Sequence, residues 1–373
     1  MDTTLVSPEI FALGFIGYVV VGILSFSLIS DTFILYYEVF LYSAIGLLFY
    51  VVGCQITLPD RKMVYLFLTV GIGIFYSVQE YGEFGLVLPV FGVFALILIG
   101  KMRGEMLVGI GILLLVIQLM VGGIPLYDPE LRRANVSLLF IFGYVFLFLG
   151  ITFMTKDRDI KYIVGLFLGS LVLLSLFTYR VYVLELIIVV VTSLYMLRKV
   201  RTLHVVAAAV PLFVLILGLG YIGVAYQEWK FNAIELFLFR PAFTVGVLST
   251  IVHEAGYFGI THGKIWLHFT STTIIGPHLF GYDCNITSTV MGPLIFDGGI
   301  FELGLMAFFG AALNTMYRKA LQNREKIPYY AIVLAIFLVG VDVSFIPSLV
   351  LLLFAGLYLA SDSGTKPWKV LQR

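Results

Sequence analysis

Charge is what this chain most lacks. Only 12% of its 373 residues are Asp, Glu, Lys or Arg, while 61% are apolar, and its mean hydropathy is +1.05. A water-soluble globular fold of this length could not solvate such a surface. The composition therefore excludes that class and points to a polytopic membrane protein. Cysteine is scarce as well: Cys54 and Cys284 are the only two. They fall on opposite sides of the membrane in the topology read below, which excludes an intrachain disulfide. Strict apolar–polar alternation, the mark of a transmembrane barrel, is missing too. Runs such as 112–117 and 186–191 are continuously apolar, so the backbone is expected to satisfy itself within helices. The first ten residues lack a basic n-region and no A-x-A site follows, so the first apolar run is read as an uncleaved span.

What is present is a series of apolar windows of about 16–23 residues, each long enough to cross a bilayer. They lie at 10–30, 33–54, 63–79, 84–100, 106–124, 136–154, 162–178, 181–197, 203–226, 293–316, 328–343 and 346–360. The expected fold is thus an all-α polytopic membrane protein of about 12 transmembrane helices, with residues 1–373 as a single integral membrane domain. Basic connections (Arg61-Lys62, Lys101/Arg103, 156–161, 198–201, 318–326 and the tail) alternate with connections poor in Lys and Arg. The positive-inside rule then places both termini in the cytoplasm of a cell-membrane protein. One connection is long. Residues 227–292 form an expected extracytoplasmic loop that holds four of the five histidines, and loops of that length are usually functional. It opens with an interfacial helix around Trp229 and Ile234–Phe239, which Arg240-Pro241 is expected to end.

Seventeen of the 23 basic residues obey this topology; Arg132, Arg133, Arg180, Lys230, Arg240 and Lys264 do not. Basic residues on the translocated side run against the insertion bias. A site that grips an anionic, lipid-linked substrate would supply a reason, since guanidinium binds phosphate in a bidentate fork. Arg180 interrupts an apolar stretch, where it either faces a wet cavity or snorkels from a helix end. Arg132 and Arg133 close a turn-rich loop and either present guanidinium to a ligand or pair with Asp128 or Glu130.

Candidate proton acceptors are His253, Glu254 and Asp283, against the plainer reading of packed histidines and a solvated carboxylate. The run from His253 to Tyr257 has Tyr where an H-E-x-x-H site needs its second His, so no metal is expected. Glu38 and Glu185 lie inside spans, where a carboxyl is either functional or paired with neighbouring tyrosines. Asp297 and Glu302 open the tenth span and read equally as helix-capping acids. Asn135 and Asn285 begin sequons in outer connections.

Four segments carry a resemblance, in order. Gly123 to Arg133 resembles a G-[IV]-P-L-x-[DN]-P-x-L-R signature; Thr178-Tyr179-Arg180 precedes an apolar span and the basic turn at 198–201; Phe239-Arg240-Pro241-Ala242 opens the long loop; Gly292 to Gly310 is Gly-rich with two acids. Together they resemble the Wzy-type O-antigen polymerases, the oligosaccharide repeat unit polymerases of bacteria and archaea, over roughly residues 120–320. The departures are Pro directly after Arg240 and a His-rich rather than aromatic outer loop.

That resemblance implies a membrane glycosyltransferase of GT-C-like architecture. It would join polyprenyl-(pyro)phosphate-linked repeat units on the outer face, without metal or other cofactor. Arg132, Arg180 and Arg240 would hold phosphate, with Arg133 as an alternate to Arg132. His268, His278 and Tyr282 are further candidate substrate contacts. The implied partners are a lipid-linked donor and acceptor, membrane lipids, and flippase and chain-length regulator proteins; no nucleic acid is implied. Two alternatives stay open: a ligase-like transferase with a non-polyprenyl acceptor, and a lipid-oligosaccharide flippase using Glu38 and Glu185. A flippase should show two related halves with interrupted helices, and no such symmetry is visible in the sequence.

Overall fold

The computed structural model of the chain describes residues 4–81, 92, 101–128, 131, 137–225, 231–268, 272–282, 286–343 and 346–361. Among the described residues all regular structure is helical. The first half comprises α1 (Ile10–Leu24), α2 (Glu38–Cys54), α3 (Lys62–Tyr81), α4 (Gly104–Gly122), α5 (Leu138–Asp157), α6 (Ile160–Ser175) and α7 (Arg180–Met196). The second comprises α8 (Thr202–Ala225), α9 (Ala233–Ala255), α10 (Thr272–Phe280), α11 (Met291–Gly298), α12 (Leu305–Gln322), α13 (Ile327–Val339) and α14 (Ile346–Ala360). Four stretches, 62–79, 104–122, 139–157 and 234–255, are long and apolar enough to cross a membrane. Shorter apolar helices accompany them at 10–24, 38–54, 160–175, 202–218 and 348–360.

Apolar residues line both the inside and the outside of this bundle, so hydrophobic contrast alone cannot bring the helices together. Close packing must do so. In α4 and α5 it is achieved with glycine. A Cβ at Gly111 would lie 2.6 Å from the backbone nitrogen of Leu147, and one at Gly150 would lie 2.6 Å from that of Val108. The two backbones therefore touch at positions where any side chain would separate them. Elsewhere bulky rings fill the interior. Phe11, Tyr50, Phe309 and Phe337 form the centre of one core, with the rings of Phe11 and Phe337 4.4 Å apart. Buried hydroxyls end on carbonyls, as membrane interiors demand: Tyr50 donates to Pro8 at 2.7 Å and Tyr330 to Val6 at 2.6 Å. A second core forms around Phe140, Leu147, Phe177, Val183 and Leu186. Helix α13 joins the two, giving Phe337 to the first and Ala335 to the second.

The apolar windows outside the long connection each coincide with helix, except 84–100, all but one of whose residues lie outside the described residues. Two expectations are corrected. Arg240-Pro241 does not end the helix that opens the long connection; α9 runs through both to Ala255. Its start is fixed by a capping box, in which Asn232 accepts from Glu235 N at 2.9 Å and Glu235 accepts from Asn232 N at 2.9 Å. Ser25 donates to the carbonyl of Leu238 at 3.2 Å, supporting the backbone just ahead of the proline. The preference of a pre-proline residue against helix is outweighed by these contacts. The second correction is at 293–316, where the single expected span is broken into α11 and α12. Gly299 adopts φ 63° at the break, and the backbone of Tyr257 leaves no room for a side chain there.

Candidate functional site

Arg240 stands at the centre of a polar cluster drawn from four separate parts of the chain. Helix α9 supplies Arg240 and Thr244, four residues apart and so on one face. Tyr18 comes from α1, Asp342 from the turn after α13, and Thr287 from the segment ahead of α11. The guanidinium Nε donates to Asp342 Oδ1 at 2.9 Å and to Oδ2 at 3.1 Å, while Nη2 donates to Thr287 Oγ1 at 2.6 Å. Asp342 Oδ1 also accepts from Thr244 at 3.0 Å and from the hydroxyl of Tyr18 in a short contact. Two edges of the guanidinium are thereby anchored, and Nη1 makes no hydrogen bond among the described residues. The Arg240 and Asp342 side chains are 36% and 27% exposed, so the pair is open on one side. Such an arrangement holds a positive group in a fixed orientation and offers its remaining N–H groups to an incoming anion.

Arg180 is the first residue of α7, reached through Thr178 in the left-handed region at φ 60°. Its side chain lies across Gly220 of α8, where a Cβ would be 2.6 Å from Nη1. Helix α8 in turn packs on α9 through Phe213 and Phe237, ring centroids 5.0 Å apart. Arg180 and Arg240 are thus linked through one intervening helix. Arg132 and Arg133 lie outside the described residues, as does Asp283.

The two expected proton acceptors among the described residues stand elsewhere on α9. His253 stacks flat on Tyr36, centroids 3.7 Å apart with 1° between planes. Glu254 faces His278 Nε2 at 3.7 Å, and His278 also meets the edge of Phe296 at 5.2 Å. Thirteen residues of helix separate His253 from Arg240, about 20 Å along the axis. His268 is exposed, with its backbone N–H on the carbonyl of Ile265 at 3.2 Å. Tyr282 is exposed beside Phe280.

Asp297 lies near the end of α11 and Glu302 opens the 3-10 turn ahead of α12; both fasten the loop that follows α9. Asp297 Oδ1 accepts from Thr261 Oγ1, from Gly263 N at 2.8 Å and from Ile265 N at 3.4 Å. Glu302 Oε1 accepts from the Trp266 indole at 3.0 Å. Glu185 is buried in α7 beside Tyr144 and Tyr182, whose rings are 4.7 Å apart. Among the described residues Glu38 and Glu185 each leave one buried carboxyl oxygen without a hydrogen-bond partner.

Sequence reasoning missed Tyr18, Thr244, Thr287 and Asp342. Only Asp342 gave a usable signal, as a lone carboxylate in the apolar run 327–351. Its partner is 102 residues away, and nothing local in the sequence names it.

A family model described as "Putative O-antigen polymerase" matches residues 7–354. A protein of Methanocaldococcus jannaschii, described only as uncharacterized, is 30% identical over 259 residues, covering 68% of this chain and 64% of that relative. This chain therefore spans less than two thirds of the relative's own length. No solved structure matches. The family match takes in Arg180, Arg240 and Asp342 together and extends over nearly every described helix, and on that ground the chain belongs to the O-antigen polymerase family.

Proposed function

We propose that this protein joins polyprenyl-(pyro)phosphate-linked oligosaccharide repeat units by glycosyl transfer on the outer face of the membrane, with about twelve spans and both termini in the cytoplasm. The observation that carries the reading is the Arg240 guanidinium, oriented by Asp342 and Thr287 and open on one side, in a member of the O-antigen polymerase family. Transfer of a glycosyl group from a polyprenyl phosphate breaks the bond between the anomeric carbon and the phosphate oxygen. Negative charge then grows on the departing phosphate. A fixed guanidinium in a poorly hydrated site stabilises that charge without having to reorganise. Arg180 and Arg132 are assigned to the same phosphate or to its neighbour, with Arg133 as the alternate to Arg132. No metal enters the proposed step.

The acceptor hydroxyl must lose its proton next to the anomeric carbon, and hence close to the phosphate. His253 and Glu254, about 20 Å along α9 from Arg240, suit the far sugars of an extended oligosaccharide better than that role. His268, His278 and Tyr282 join them on the sugar side. Asp342 already accepts from Arg240, Thr244 and Tyr18, which makes it a positioning carboxylate. Asp283 lies four residues before Thr287 in sequence and is assigned the proton.

The test is glycan length in cells that make the cognate polymer. Arg240→Ala and Arg180→Ala should each reduce polymer to single repeats while lipid-linked units still reach the outer face. Full-length polymer from either variant removes that residue from the site. Accumulation of units inside the cell favours lipid-oligosaccharide transport instead, and normal polymer that fails to reach a non-polyprenyl acceptor favours a ligase.

A further inference from the structure

A cavity of about 810 Å³ opens at the other end of the bundle from Arg180. Its walls come from the start of α4, the end of α5, Leu197 just past α7, and the segment that leads into α13. Since α7 begins at Arg180 and the cavity touches Leu197, the two places are about 25 Å apart along that helix. The cavity is therefore separate from the phosphate site proposed above, and the inference does not rest on that reading.

Its lining has two characters. Phe153 and Tyr329 meet edge to face, ring centroids 5.8 Å apart, and give it an apolar side. The rim carries four cations (Arg103, Lys156, Arg158, Arg324) against three acids (Glu105, Asp157, Glu325). Arg158 is held by Glu105 through Nη2 at 2.6 Å and Nε at 3.0 Å. Lys156 pairs with Glu325 at 3.0 Å. Lys199 fixes this end of α5 from behind, donating to the carbonyl of Arg158 at 2.6 Å. Arg103 and Arg324 remain. Both are exposed on the rim, and neither side chain makes a hydrogen bond or ion pair among the described residues, although Arg103 has Glu105 as a charged neighbour.

Two guanidinium groups without a hydrogen-bonded partner among the described residues, beside an apolar wall at the end of a bundle of apolar helices, match an anionic amphiphile. Basic pockets between membrane helices bind anionic headgroups in this way, with the chain of the lipid running along the apolar side. We propose that this cavity is a second, non-catalytic site that takes a phosphate group on Arg103 and Arg324, with the apolar part of the ligand against Phe153 and Tyr329. The phosphate could belong to a membrane phospholipid or to a soluble phosphate compound, and the experiment distinguishes them.

The full chain, purified and reconstituted in zwitterionic bilayer discs, is titrated with a fluorescent anionic phospholipid and, separately, with inorganic phosphate as competitor. The Arg103→Gln, Arg324→Gln double variant should bind the lipid roughly twenty-fivefold more weakly, at about fivefold for each surface arginine. Arg240→Ala should leave this binding unchanged. Resistance of the lipid to millimolar phosphate identifies the headgroup as the ligand; displacement by phosphate, with direct phosphate binding lost in the double variant, identifies the soluble form. If the double variant does not fold, each single variant should still show its fivefold loss. Unaltered binding of both probes in the arginine variants, or lipid binding abolished by Arg240→Ala instead, overturns the proposal.

Discussion

At the scale of single residues, the proposed role of Arg240 depends on how the side chain is held rather than on its charge alone. Lysine at this position would keep the charge but lose the fork that reaches Asp342 and Thr287 together. Arg240→Lys is therefore expected to behave much as Arg240→Ala does, with polymer formation down by roughly a hundredfold or more, the usual cost of one transition-state donor. A rate measured on lipid-linked units in reconstituted vesicles checks this; near-normal activity in the lysine variant would mean that simple charge suffices. Asp342→Asn separates positioning from stability. A fully buried ion pair broken on one side costs roughly 3–5 kcal/mol, but both partners here are about a third exposed. Solvent screening lowers the expected loss to about 1–2 kcal/mol, read as a modest fall in unfolding temperature in detergent. Activity should fall much further than that shift explains, because the guanidinium is no longer aimed.

At the scale of elements, the helices were legible in the sequence, as was the break ahead of Arg180, but the break inside 293–316 and the continuation through Pro241 were not. An apolar run is a one-dimensional signal, and lipid leaves the backbone little choice but helix. The break between α11 and α12 depends instead on the turn after α9 pressing the backbone of Tyr257 on Gly299. Likewise, the continuation of α9 through Pro241 depends on the Asn232–Glu235 capping box and on Ser25 of another segment. Asn232→Ala should cost about 1 kcal/mol and, because α9 carries Arg240, lower activity out of proportion to that loss. The α4–α5 contact makes a sharper test. Leucine at Gly150 has no space against the Val108 backbone, and overpacking of this kind costs typically 1–3 kcal/mol. Gly150→Leu should lower the unfolding temperature, whereas Gly165→Leu, in open space on α6, should not.

At the scale of the whole molecule, the proposed orientation puts the two proposed sites on opposite faces of the membrane. In that orientation Arg180 and Arg240 fall on the face that Lys and Arg normally avoid, and Arg103 and Arg324 on the face where they gather. Both assignments stand on one orientation, and that orientation can be measured directly. In a chain with Cys54 and Cys284 replaced, single cysteines at the exposed positions Tyr127, Tyr257 and Gln322 report their side. Tyr127→Cys and Tyr257→Cys should react with a membrane-impermeant maleimide in intact cells, and Gln322→Cys only after the membrane is opened. The reverse pattern would put the Arg240 cluster in the cytoplasm. There it could act only on units that have not yet crossed, and an outer-face polymerase would be ruled out even if every arginine variant lost polymer. A mixed pattern, with Tyr127 and Tyr257 on different sides, would instead mean an odd number of crossings between them, the result expected if α9 itself crosses the membrane. Its length and composition permit that crossing, so the labelling decides between a helix that crosses and one that lies along the outer face.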